Sequence, residues 1–135
     1  MRVDGGCHCG YIAYEAEIDP ARVTICHCTD CQAGSGSAFR INVRSAEGSF
    51  KLLAGQLRFY VKTAESGNKR AQAFCPECGT PICSTTVTDQ KVHVIRVGTI
   101  RQRAELPPRA MGWCRSMLGW ATNLESLPRH EKQLP

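Results

Sequence analysis

The sequence predicts a mainly β fold in one domain covering residues 1–135, on three observations. Apolar residues alternate with polar ones over several short runs, the period of a half-buried strand. Gly, Pro, Asn and Asp divide the chain into segments of strand length. Seven of the nine cysteines fall into three tight groups of the sort that tight turns carry, and little of the chain has a helical repeat.

The elements follow in order. From Tyr11 to Ile18, Ile12, Tyr14, Ala16 and Ile18 share one face while Glu15 and Glu17 share the other, which predicts a half-buried strand. Asp19-Pro20 is a turn signal, and the β-branched stretch Arg22–Cys26 after it reads as a second strand. The one early helix follows Cys28, with Thr29 as its expected cap and Gly34-Ser35-Gly36-Ser37 as its end. Ala38–Arg44 alternates through Phe39, Ile41 and Val43. Phe50–Leu53 and Leu57–Val61 flank Ala54-Gly55-Gln56 and read as a hairpin. Glu65–Lys69 reads as an exposed turn, and Ala71–Phe74 leads into a cysteine knuckle. Thr80–Val87 and Val92–Ile100 read as two further strands joined through Thr88-Asp89-Gln90. Pro107-Pro108 opens an irregular C-terminal tail whose Trp113, Trp120 and Leu127 are expected to pack over the sheet.

The bulk composition excludes several classes. A hydrophobic content of 42% with 21% charged residues is ordinary globular usage rather than that of a disordered chain. No apolar run approaches the roughly 18 residues of a membrane helix. The N-terminal residues lack the apolar stretch of a secretory signal, so a cytoplasmic location and no membrane partner are expected. In a reduced cytosol, nine cysteines point to metal or thiol chemistry rather than to disulfides. The net charge of +5 is modest. Its densest group, Arg96, Arg101, Arg103, Arg109 and Arg115, reads as a solvated surface, and with no aromatic-basic stripe nucleic acid is not an expected partner.

The cysteine groups are Cys7-His8-Cys9, Cys26-His27-Cys28-Thr29-Asp30-Cys31 and Cys75-Pro76-Glu77-Cys78-Gly79. The third is the most specific. Two thiols three positions apart can hold one metal from a tight turn, and the glycine after them permits positive φ. Zinc takes four such ligands in a tetrahedron, so a second pair must come from elsewhere. A redox pair would need a βαβ context, whereas a strand-like run follows Gly79. Seven thiols divide into four and three: a closed site from Cys7, Cys9, Cys75 and Cys78, and an open one from Cys26, Cys28 and Cys31. Spacing alone also allows Cys7 and Cys9 to join Cys26 and Cys28. Closed sites are structural, and an open position is what chemistry requires.

Order, spacing and flanking residues together resemble one family. Gly5-Gly6-Cys7-His8-Cys9-Gly10, Cys26-His27-Cys28-Thr29-Asp30-Cys31 with Gly34 to Phe39, and Phe74-Cys75-Pro76-Glu77-Cys78-Gly79-Thr80 carry the likeness. Leu53-Ala54-Gly55, Gly98-Thr99, Trp120 and Leu127-Pro128 also fit. The sequence resembles the glutathione-dependent formaldehyde-activating enzymes and their centromere protein V relatives, over nearly its whole length. His130 departs from the pattern, standing where an aromatic is common. The resemblance implies an Mss4-like β-tent, a structural zinc on Cys7, Cys9, Cys75 and Cys78, and a second, more labile catalytic zinc on Cys26, Cys28 and Cys31.

The activity implied is that of a carbon–sulfur lyase joining glutathione, or a related small thiol, to formaldehyde or a similar electrophile. Free thiols are mostly protonated at neutral pH, and a metal with an open position can deprotonate and orient one. Three thiolates around a divalent ion leave about one negative charge, so an anionic thiol needs basic residues to offset it. Arg40, Lys62 and Arg70 are the candidates. Two other readings compete: a non-catalytic zinc module for protein or nucleic acid, and a thiol-based metal or redox buffer. His8 and His27 are expected to point away from the metal, and His93 to be a partly exposed strand residue. Cys83 reads as a small buried hydrophobe and Cys114 as a packing residue.

Overall fold

The computed structural model describes residues 1–135. Strand outweighs helix, 36% against 14%, and the strands form two sheets. Strands β1 (Arg2–Gly6), β2 (Ala13–Glu17) and β5 (Lys51–Ala54) make the smaller sheet, in the order β1-β2-β5. The larger has seven strands: β3 (Thr24–Cys26), β4 (Arg40–Arg44), β6 (Arg58–Thr63), β7 (Lys69–Phe74), β8 (Pro81–Thr86), β9 (Val94–Arg96) and β10 (Ala110–Gly112). Their order is β10-β3-β4-β9-β8-β7-β6, antiparallel except where β10 runs parallel to β3.

The alternation read from Ile12 to Ile18 has its expected consequence. Ile12, Tyr14, Ala16 and Ile18 are all buried and turn toward the larger sheet. There they join Val43, Ala73, Ile82, Cys83 and Ile95 in one cluster of 15 buried residues shared by both sheets. Burying that apolar area is the main stabilising term. Tyr14 stacks on Phe50 at 5.2 Å, and Phe50 on His93 at 4.2 Å. Strand β8 lies between β7 and β9, and Ile82, Cys83, Ser84 and Thr85 are all buried because both faces are covered.

Several elements differ from their sequence readings. Phe50–Leu53 and Leu57–Val61 do not pair with each other. β5 joins β2, and β6 joins β7 through the exposed turn around Glu65–Lys69. Gly55, at φ 80°, passes the chain from one sheet to the other, where an added Cβ would lie 2.5 Å from the Tyr11 carbonyl oxygen. Alternation sets which face of a strand is apolar, but not which neighbour supplies its hydrogen bonds. The run Val92–Ile100 keeps only Val94–Arg96 as strand and then becomes a 3₁₀ turn over Val97–Thr99. β1 carries two glycines, and β10 is only three residues long and wholly exposed; neither has an alternating pattern to read. The tail does not cover the sheet. From Pro107 onward only Ala121 is buried, while Trp113, Trp120 and Leu127 stay largely exposed.

Candidate metal centres and the cavity between the strands

The first cysteine cluster is assembled by two neighbouring hairpin turns. Cys7, His8, Cys9 and Gly10 form the turn from β1 to β2, closed by Gly10 at φ 85°. Cys75 to Thr80 form the turn from β7 to β8, with Gly79 at φ 77° and its N–H on the Cys75 carbonyl at 2.9 Å. The His8 N–H donates to Thr80 Oγ1 at 3.2 Å and ties the two turns together. The four sulfurs of Cys7, Cys9, Cys75 and Cys78 all lie within 4.8 Å of one another. Backbone N–H groups face them: Ile12 donates to Cys7 Sγ at 3.2 Å, and Glu77 to Cys75 Sγ at 3.4 Å. Hydrogen bonds from the Thr80 side chain and then its backbone draw the Cys78 thiol down to about 5. Such donors favour thiolate, the form that binds metal.

The second cluster sits where β3 leaves the larger sheet. Cys26 ends β3, opposite Arg40 of β4. Cys28 and Cys31 flank the start of α1 (Thr29–Ser35). The expected cap Thr29 is instead the first helical residue. The cap is Cys28, whose sulfur accepts from the Cys31 N–H at 3.2 Å, because its extended backbone turns the side chain over the first turn. Gly36, at φ 62°, ends the helix as its composition suggests. The three sulfurs again lie within 4.8 Å of one another. Burial, followed by the two neighbouring thiols, pushes the Cys31 thiol up to about 12. Burial would also raise Cys28, but the Cys31 N–H, the adjacent thiols and Lys62 outweigh it and leave Cys28 below the ordinary thiol value.

The remaining candidates divide clearly. His8 and His27 belong to neither cluster. His27 is fully buried, edge-on to Phe39 at 5.4 Å, with both ring nitrogens unpartnered. Cys83 is buried in the core, as read. Cys114 is exposed and outside both clusters. His93 is half-buried, just before β9 rather than within it.

The three-thiol cluster opens onto a cavity of about 1080 Å³. Arg40, Lys62 and Arg70, the basic residues singled out in the sequence, all line it, and so does Trp113. Lys62 pairs with Asp30 beside the thiols. Arg96 lines it as well, and here the sequence reading is corrected. Arg96 does not belong to a solvated surface group: it is 8% exposed, whereas Arg101, Arg103, Arg109 and Arg115 are exposed. Its place between Val94-Ile95 and Val97 is the one local feature that sets it apart from the other arginines of that group.

Both clusters could hold a metal ion. Seven soft sulfur donors suit zinc or another thiophilic metal rather than magnesium or calcium. A quartet closes a tetrahedral site by itself, and a trio facing a cavity supplies three donors beside space for a fourth.

Residues 2–116 match the family model described as glutathione-dependent formaldehyde-activating enzyme. No curated protein matches the sequence. Among solved structures, a crystal structure of a Rhodobacter sphaeroides protein shares the fold, with a TM-score of 0.62 at 18% identity, over 80% of this chain and 98% of that one.

Proposed function

The chain belongs to the glutathione-dependent formaldehyde-activating enzyme family, and from that premise we propose that it condenses glutathione, or a related thiol, with formaldehyde or a similar small electrophile, acting as a zinc-dependent carbon–sulfur lyase in the synthetic direction. In that reaction the thiol gives up its proton, a carbon–sulfur bond forms, and the former carbonyl oxygen ends as a hydroxyl. The observation that carries the reading is the convergence of Cys26, Cys28 and Cys31 on one wall of the basic cavity.

In this reading Cys7, Cys9, Cys75 and Cys78 hold a structural zinc, and Cys26, Cys28 and Cys31 hold a second. The second zinc would supply Lewis acidity, lowering the pKa of a thiol held beside it. The protein's own residues do the rest. The β3–α1 turn fixes the three thiols relative to the cavity, and the Cys31 N–H steadies the Cys28 sulfur. Gln32 anchors α1, its Nε2 donating to the carbonyls of His27 at 2.9 Å and Ser116 at 3.0 Å. Lys62 and the cavity arginines favour anionic forms of sulfur and substrate. Holding two small reactants side by side supplies most of the advantage for an electrophile as reactive as formaldehyde. The same reading takes residues 1–135 as one Mss4-like domain working in the cytoplasm, where glutathione keeps thiols reduced.

The test is exchange NMR of formaldehyde with glutathione, with the zinc-loaded protein and with its Cys28→Ser variant. Acceleration by the first and not the second is expected. No acceleration at any zinc loading overturns the proposal.

A further inference from the structure

Three arginines enter the cavity from three strands: Arg40 from β4, Arg70 from β7 and Arg96 from β9. None of them has a carboxylate partner. The ion pairs of this chain involve the N-terminus, Arg2, Lys51, Lys62, Lys91, Arg101 and Arg115. The one acidic side chain on the cavity wall, Asp30, is taken by Lys62.

What the arginines do touch is neutral. Arg96 donates to Asn42 Oδ1 at 2.8 Å, to Gln72 Oε1 and to the Val94 carbonyl at 3.4 Å, while its buried Nε has no partner. Arg70 reaches only Ser84 Oγ, at 3.4 Å. Arg40 is 8% exposed and takes part in none of the ion pairs. It lies against Gly34 of α1, where a Cβ would come within 2.3 Å of Nη2. Guanidinium keeps its proton in proteins, so these charges cannot be shed on burial. Burial, and next the charge of Arg40, draws Arg96 down to about 10.

Uncompensated buried charge is costly, and a site that retains it is built to meet an opposite charge from outside. A trio of thiolates around a divalent ion offsets about one of these charges and leaves roughly two. The planar guanidinium forks of Arg96 and Arg70 are held by amide and hydroxyl groups, and such forks match carboxylates two bonds at a time. We infer that Arg40, Arg70 and Arg96 form a carboxylate-binding subsite in the cavity that Cys26, Cys28 and Cys31 also line, and that it selects thiols carrying carboxylate groups, peptide or not. This rests on the lyase reading for the identity of the thiol site, and it names the substrate class.

The test measures dissociation constants of 3-mercaptopropionate, 2-mercaptoethanol and the thiol-free succinate on the zinc-loaded full chain by NMR titration. The carboxylated thiol is expected to bind about tenfold or more tightly than its uncharged counterpart, the scale of a charge-assisted hydrogen bond, and succinate to compete with it. Arg70→Gln and Arg96→Gln should each shrink that preference to about threefold or less, weakening 3-mercaptopropionate more than 2-mercaptoethanol, and Arg70→Lys should restore part of it. Should Arg96→Gln fail to fold, the half-buried Arg70 decides. Equal affinities for the two thiols in the unaltered protein, or a preference intact in the folded glutamine variants, overturn the subsite. A preference without acceleration of the formaldehyde–glutathione exchange supports the subsite and removes the lyase reading; acceleration without a preference does the reverse.

Discussion

The backbone N–H of Cys31 points at the sulfur of Cys28 from 3.2 Å, so one candidate metal ligand caps the helix that carries another. The geometry of the trio is thereby linked to the local stability of α1. Cys28→Ser keeps an acceptor for that N–H but replaces a soft donor with a hard one. Formaldehyde–glutathione exchange should fall by at least about a hundredfold, more than the loss of an outer-shell contact would cause, with melting temperature near that of the unaltered protein. Cys28→Ala should lose the cap as well and cost about 1 kcal/mol of stability. Unchanged activity in the serine variant would refute the role given to Cys28.

The quartet should behave differently from the trio. Cys78 sits in the turn that holds β7 to β8 against the β1–β2 turn, so a metal bound there would stitch the two sheets. Cys78→Ser should reduce bound metal from about two per chain to about one and lower the melting temperature by roughly 10 °C or more. Cys31→Ser should lose the same amount of metal with little change in melting. Elemental analysis paired with calorimetry checks both. Equal melting temperatures for the two variants would show that the quartet is not the structural site.

Gly34 offers a change whose effects on stability and on the cavity point in opposite directions. Alanine favours helix over glycine by about 0.8–1 kcal/mol, yet its Cβ would come within 2.3 Å of Arg40 Nη2. The guanidinium is the free end of a flexible side chain and moves. Gly34→Ala is therefore expected to melt no lower than the unaltered protein while binding 3-mercaptopropionate more weakly. Tighter or unchanged binding would show that Arg40 takes no part.

Tyr14 joins β2 to the 3₁₀ turn Val97–Thr99 through its hydroxyl, 2.8 Å from Thr99 Oγ1, with its ring wholly buried. Tyr14→Phe should cost about 1 kcal/mol, the usual net value of one such bond. Gly5→Ala should cost more, about 2 kcal/mol or above, because the new Cβ would lie 2.2 Å from the Thr99 carbonyl oxygen and 2.5 Å from the Tyr14 hydroxyl. Urea unfolding of both variants measures the order, and a milder effect for Gly5→Ala would contradict this packing.

The cysteine groups were legible without a structure because each lies within a few residues and because spacing, glycines and flanking residues agree. Alternation likewise fixed which face of β2 is buried, through Ile12, Tyr14, Ala16 and Ile18. Strand partners were not legible. β5 and β6 are adjacent in the chain but belong to different sheets, since their hydrogen bonds go to β2 and β7. A strand's sequence records its two faces and leaves its edges blank.

The same division holds for the site. Local chemistry in the sequence determined which residues could ligate a metal. Spacing left open which pairs meet, and the tertiary structure brings Cys7 and Cys9 to Cys75 and Cys78, 66 or more positions apart in the chain, rather than to Cys26 and Cys28. It also moved Arg96 from an apparent surface cluster to the wall of the cavity, beside Arg40 and Arg70. A charge is buried or solvated according to what packs over it, and those neighbours come from distant strands whose pairing no local pattern encodes.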